Sequence, residues 1–302
     1  MPEEVRKKAS KLLAGENDAL HRLQESIEMI STAFNGNIRF VVMKTLWQYP
    51  HSVSDIDLLI DEEDINNALA ILEKSDYNIY RGVVPQEPYK IRCVSSSGLD
   101  VDIYPKVSWR NVSYLNENSV LRRRRFLYQN GVKVYLPSEE DELLILYTHS
   151  FSHCRVRLGD IFHIILMLQK KQNQFDWNYV LKTAEMYGTI PVLFRFLHLI
   201  HIVSVSSFGK SVVDSKVLGK FQKLWIIRMF NGFLQNDFFG DKIHPRNRAY
   251  FYIPSPILLL ITMIHGMVAD TEAHNLSLLL ERLIKGVSHI GRLAFVILGI
   301  YS

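Results

Sequence analysis

The chain has 302 residues, of which 48% are hydrophobic and 22% charged, with a net charge of +4. That composition excludes a disordered or fibrous chain and leaves room for two ordinary domains, each with its own core. The small positive charge permits an anionic ligand without arguing for nucleic acid. Two cysteines, Cys93 and Cys154, in no C-x-x-C spacing indicate neither a zinc site nor a disulfide framework and suit a reducing compartment. The N-terminal MPEEVRKKASKLLAG lacks the apolar segment of a signal peptide. No apolar run reaches the roughly 18 residues of a membrane span, so 256–268 and 293–300 read as buried helices. A cytoplasmic protein without membrane association is expected.

In chain order, 3–13 and 17–34 have helical character, the second through a stripe of Leu20, Leu23, Ile27, Ile30 and Phe34. Asn35-Gly36-Asn37 stops it. Residues 38–43 read as a strand, and Lys44-Thr45-Leu46-Trp47 as a short helical turn ending before Pro50. A loop leads to the strand Asp55-Ile56-Asp57-Leu58-Leu59-Ile60. Residues 62–75 form an amphipathic helix with Asp61 near its start. Strands at 77–84 and 89–94 and a turn at 95–98 then precede Leu99-Asp100-Val101-Asp102-Ile103-Tyr104. The run Arg122-Arg123-Arg124-Arg125 reads as the close of a charged helix, either a solvated face or a contact for nucleotide or RNA backbone, and 132–135 as a last strand. From Pro137 onward the period is helical, with helices expected from 138 to 153 and at 157–171, 177–188, 190–203, 216–234, 256–268 and 274–300. The longest irregular piece is 236–255. The expected architecture is α+β: a small mixed sheet with helices on one face over 1–136, followed by an all-helical domain over 137–302.

The chemistry concentrates in the two acidic strands. Strand side chains alternate faces, so Asp55 and Asp57 point the same way, as do Asp100 and Asp102. Like charges side by side at a strand end are costly unless a cation neutralises them, and Mg²⁺ (or Mn²⁺) is the hard-oxygen occupant of choice. If the two strands are neighbours, a third carboxylate joins the pair and gives the donor set of a two-metal phosphoryl-transfer site.

A strand, a turn, and then Ser54-Asp55-Ile56-Asp57-Leu58-Leu59-Ile60 resembles the nucleotidyltransferase superfamily of the DNA polymerase β type. Its third acid matches Val101-Asp102-Ile103. The stretch Leu136-Pro137-Ser138-Glu139-Glu140-Asp141, with His149, His153 and Arg157-Leu158-Gly159-Asp160, is similar to the helical half of uncharacterised nucleotidyltransferases. The resemblance implies transfer of a nucleoside monophosphate from a nucleoside triphosphate to an acceptor hydroxyl, with pyrophosphate leaving. It implies that Asp55 and Asp57 hold both metals, and that Asp102 holds the catalytic metal and helps deprotonate the acceptor, with Asp100 as runner-up. Lys44-Thr45 stands where such enzymes carry Gly-Ser. Lys44, Thr45 and Ser54 are the expected nucleotide-binding residues, the lysine contacting phosphate by charge rather than by close backbone approach. The acceptor is a tRNA end, a protein side chain or a small-molecule hydroxyl. Two rival readings are a non-catalytic nucleotide-binding module of toxin–antitoxin type and a glycosyltransferase using Asp55-x-Asp57. The histidines 149, 153 and 163 are expected to be packed or hydrogen-bonded, not ligands, with Asp160 orienting one of them.

Overall fold

A computed structural model describes residues 3–222, apart from 52, 83–86, 88, 97, 110, 111, 153, 154, 172 and 173, together with 250–252. One helix, α1 (Glu3–Phe34), replaces the two expected at 3–13 and 17–34. A glycine inside a helix costs only about 1 kcal/mol, too little for Gly15 to break a run of good helix formers. Strands β1 (Phe40–Met43) and β2 (Asp55–Ile60), a 3-10 turn (Glu62–Asp64), α2 (Ile65–Lys74), β3 (Tyr77–Arg81), β4 (Ile91–Ser95) and β5 (Asp100–Tyr104) follow. Asp61 caps the 3-10 turn, accepting from the Glu63 amide at 3.2 Å, and also pairs with Arg39.

These strands form one mixed sheet in the order β1-β2-β5-β4-β3. β2 and β5 run parallel, and every other neighbouring pair is antiparallel. On one face Phe40, Val42, Ile56, Leu58, Ile60, Val101 and Ile103 share a core with Leu23, Ile27, Ile30 and Phe34 of α1 and Ile65, Leu69 and Leu72 of α2. Both helices thus cover the same face, as the apolar alternation of the strands required. Strand parity leaves Asp55, Asp57, Asp100 and Asp102 on the opposite face. Phe40 anchors the core, meeting Phe34 and Tyr135 edge to face at 5.4 and 5.9 Å between ring centroids.

A small hairpin of β6 (Ser108–Trp109) and β7 (Val112–Ser113) comes next. Helix α3 (Glu117–Arg122) is capped by Asn116, which accepts from the Ser119 amide at 2.8 Å. The expectation that 122–125 closes a helix is corrected: α3 ends at Arg122, and Arg125 opens β8 (Arg125–Gln129), which pairs with β9 (Val132–Leu136). Asn130 and Gly131 link the two strands, both at positive φ (47° and 82°), the two-residue turn whose twist matches its flanking strands. Three of the four arginines bind protein acceptors. Arg123 donates to the Ser138 hydroxyl at 3.4 Å, Arg124 to the Phe40 carbonyl at 3.3 Å, and Arg125 to the Pro137 carbonyl at 3.0 Å. The Arg124 guanidinium also lies 4.1 Å from the Tyr135 ring centroid. Replacing Arg124 with Ala is expected to destabilise the protein by about 1–2 kcal/mol, from one lost charged hydrogen bond and one cation–π contact; urea denaturation reads this directly.

Beyond β9 come α4 (Glu139–Ser152), β10 (Arg155–Arg157), α5 (Leu158–Lys171), α6 (Trp177–Met186), α7 (Ile190–Phe208), α8 (Ser215–Gln222) and β11 (Tyr250–Tyr252). Asp176 caps α6 at the Tyr179 amide, 3.0 Å away, and α7 ends on Gly209 at φ 71°, the left-handed residue that closes many helices. β10 and β11 pair antiparallel, so 236–255 is not wholly irregular and the region from 137 is not purely helical. The part of the expected 216–234 helix beyond 222 and the helices expected at 256–268 and 274–300 lie outside the described residues, as do His153 and Cys154. His163 Nε2 is 2.9 Å from Glu142 Oε1, both buried, while Asp160 accepts from the Arg157 amide at 3.2 Å. The described residues divide into two compact units, one holding those up to Val107 with Asn116–Ser138, the other Ser108–Leu115 and those from Glu139 onward. Among the described residues no helix is long and apolar enough to cross a membrane.

Candidate active site

The two acidic strands are aligned by their apolar partners. Sliding β2 by one residue would turn Ile56, Leu58 and Ile60 out of the core and Asp55 and Asp57 into it, so the register is strongly specified. In that register Asp55 pairs with Asp100 and Asp57 with Asp102 across the parallel ladder. Residues in register on neighbouring strands share a face, so the four carboxylates gather on the side away from α1 and α2.

Their surroundings are uneven. Asp102 is 1% exposed. Its Oδ2 is ion-paired with Lys90 Nζ, while its Oδ1 is buried and receives no hydrogen bond. The carboxyl groups of Asp55 and Asp102 interact directly. Asp57 Oδ2 is 3.2 Å from Lys44 Nζ, and Asp57 also shares a hydrogen bond with the Tyr104 hydroxyl. Lys44 and Lys90 lie 5.1 and 5.4 Å from the Tyr104 ring centroid. Asp100 is held differently: Arg92 donates to its Oδ2 at 2.8 Å and the Ser95 amide to its Oδ1 at 3.3 Å, which ties it to β4.

Burial separates the carboxyls electrostatically. Desolvation, chiefly, pushes Asp102 up to about 6, against the lowering pull of Lys90. Asp55 feels desolvation most as well, yet the Ser54 hydroxyl, the Asp102 carboxyl and the two lysines together hold it below the usual aspartate range. A pair pushed in opposite directions is the pattern of a site with distinct acid–base roles. Lys90 stays charged despite its burial, held above the usual lysine range by Asp102. Cys93 is buried and its thiol is pushed up to about 12, so it is no nucleophile at neutral pH.

The Asp102 shift has a consequence for stability. The folded state holds this proton more tightly than the unfolded chain, whose ordinary value is 3.8. The resulting stabilisation is fully present below about pH 4 and is lost as pH rises through about 6. The difference is on the order of 3 kcal/mol. Asp102→Asn is therefore expected to gain stability relative to the parent between pH 5 and pH 7.5; equal gaps in urea denaturation at the two pH values would contradict it.

The expected nucleotide-binding residues are placed less uniformly. Lys44 lies beside the carboxylates at φ 53°, the left-handed region that glycine occupies most easily. The lysine thus adopts a glycine-like turn and adds an ammonium to it. No helical turn forms at 44–47, where the chain bends. The Thr45 hydroxyl donates to the Met43 carbonyl at 2.7 Å and Trp47 Nε1 to the Lys44 carbonyl at 3.1 Å, local bonds that compete with helical ones. Thr45 is 2% exposed and its oxygen also accepts from the Asp57 amide at 3.4 Å, so it braces the strand. Ser54 is exposed and donates to Asp55 Oδ1 at 2.8 Å. Lys90, which lies just before β4, and Tyr104, which shares the parity of Asp102, also belong to this face.

Among the described residues, no group of three or more His, Cys, Asp and Glu side chains stands ready-made to hold a metal. The donor chemistry nevertheless fits: hard carboxylate oxygens from Asp55, Asp57 and Asp102, one of them buried without a donor, suit an oxygen-seeking cation. Lys44 and Lys90 sit on the same oxygens.

Residues 1–204 match the family of uncharacterised nucleotidyltransferases. Two solved structures are similar. One, from Thermotoga maritima and described as a candidate nucleotidyltransferase, is 19% identical with a TM-score of 0.31 and covers 48% of this chain and 89% of its own. The other, an antigenic nucleotidyltransferase-like protein from Paracoccidioides brasiliensis, is 18% identical with a TM-score of 0.39 and covers 66% of this chain and 97% of its own. No curated protein matches. With two thirds of its length accounted for, including both acidic strands, the chain belongs to the uncharacterised nucleotidyltransferase family.

Proposed function

We propose that the carboxylate face transfers a nucleoside monophosphate from a nucleoside triphosphate to an acceptor hydroxyl. The acceptor oxygen bonds to the α-phosphorus, the bond to the β-phosphate oxygen breaks, and pyrophosphate leaves. The observation that carries this reading is the in-register pairing of Asp55-x-Asp57 with Asp100-x-Asp102, which sets a buried, partly unpartnered carboxylate beside an ionised one. Mg²⁺ (or Mn²⁺), held by Asp55, Asp57 and Asp102, would neutralise the phosphates and polarise the reacting oxygens. Asp102, set in register beside Asp57, accepts the acceptor's proton as that oxygen bonds to phosphorus. Lys44 Nζ contacts a phosphate oxygen as a point charge, and Ser54 orients Asp55 through its hydroxyl.

The two lysines on the acids also favour a second reading, a module that binds nucleotide without turning it over. Calorimetry with ATP and Mg²⁺ on the parent and on Asp57→Ala tests binding, and release of pyrophosphate in the presence of total tRNA or cell extract tests turnover. Binding lost in the variant together with pyrophosphate release by the parent supports transfer. Binding without release, whatever acceptor pool is offered, supports the module.

A further inference from the structure

The carboxylate cluster is partly neutralised from within, and its two lysines are not equivalent. Lys44 is fixed at its root by a left-handed backbone and by Trp47 on its carbonyl. Lys90 reaches in from a turn, its amide donating to the Glu87 carbonyl at 3.0 Å. Its ammonium binds Asp102 Oδ2 and has Glu87 Oε2 only 3.6 Å away. The Lys90 side chain is 13% exposed and that of Asp102 2%. The ammonium therefore sits on the most deeply buried carboxylate of the set, the one whose other oxygen has no donor. A second carboxylate is within reach, to which it can move without leaving the site.

We propose that Lys90 is a displaceable internal counter-ion: its ammonium fills the cation seat at Asp102 and yields it to a divalent ion by shifting onto Glu87. This rests on reading the carboxylates as a divalent-cation seat. It accounts for carboxylates that gather on one face and yet form no ready-made metal cluster among the described residues. Two cations cannot share one buried carboxylate without strong repulsion, so a metal ion that enters the seat at Asp102 must first overcome the Lys90 ion pair. An arriving triphosphate adds anionic oxygens for the released ammonium, so cation binding should tighten when nucleotide is present.

The test is Mn²⁺ binding to the full chain, read as the loss of the free-ion signal in electron paramagnetic resonance, with folding checked by circular dichroism. Lys90→Met is expected to bind Mn²⁺ about tenfold more tightly than the parent, a competing charge having been removed. Lys90→Arg, which keeps the charge, is expected to show no such gain. Glu87→Gln removes the alternative seat and is expected to weaken Mn²⁺ binding several-fold. If Lys90→Met binds no more tightly than the parent, the counter-ion role is overturned while the metal reading stands. If Lys90→Met fails to fold, Glu87→Gln decides: weaker binding supports the role, and unchanged binding overturns it. If neither the parent nor any variant binds Mn²⁺, the counter-ion role and the metal reading fall together.

Discussion

Asp57→Asn is expected to lower nucleotidyl transfer by about a thousandfold or more while leaving the fold in place. Among the four carboxylates, that of Asp57 meets Lys44 and Tyr104 and has Asp102 as its register partner. Amide for carboxylate keeps the shape and an acceptor for the Tyr104 hydroxyl, so the hydrogen-bonding frame persists. What is lost is negative charge, which both a divalent cation and the ordering of the Lys44 ammonium require. Unfolding in urea should change by no more than about 2 kcal/mol, the range for one altered charged hydrogen bond. Turnover measured beside that control separates chemistry from folding. Retention of a tenth or more of the parent's rate would remove Asp57 from the catalytic set.

The largest effect on stability is expected at Phe40→Ala. Its side chain is fully buried and touches two rings edge to face, Phe34 from α1 and Tyr135 from β9. Deleting a buried phenylalanine ring costs about 3–5 kcal/mol, combining lost transfer free energy with the cavity left behind. Edge-to-face pairs add about 0.5–1.5 kcal/mol each beyond area. The thermal midpoint of the first unit should fall by about 10 °C or more. A loss under about 1 kcal/mol would mean that β1 does not hold the α1–sheet–β9 layer together.

Phe40 and Asp57 also show where the sequence was transparent. Their strands carry alternating or continuous apolar runs, and that pattern alone fixes which side chains enter the core and which carboxylates gather opposite. The parity of Asp55, Asp57, Asp100 and Asp102 could be read from strand alternation alone. Whether β2 and β5 were neighbours could not, because pairing depends on chain topology rather than on local pattern. Lys90 depends on the same topology: it reaches Asp102 because β4 lies beside β5. The arginine run misled because charge periodicity was read where turn chemistry decides. Asn130-Gly131 marked a hairpin plainly, and a hairpin there requires a strand at 125–129, not the end of a helix. At 44–47 an apparent helical turn gave way to local side-chain bonds from Thr45 and Trp47, an outcome propensity does not anticipate. The two helices expected at 3–13 and 17–34 fail in the opposite direction, since one helix runs on through Gly15 among good helix formers.

The central claim is that the carboxylate face moves a nucleotidyl group. Its most direct test is to supply nucleoside triphosphate labelled either at the α- or at the γ-phosphate, with Mg²⁺ and a pool of tRNA and cell extract. The expected result is that α-label passes to an acceptor and γ-label appears only in pyrophosphate, both lost in Asp57→Asn. Transfer of γ-label to the acceptor, or of neither label in any pool, would contradict it.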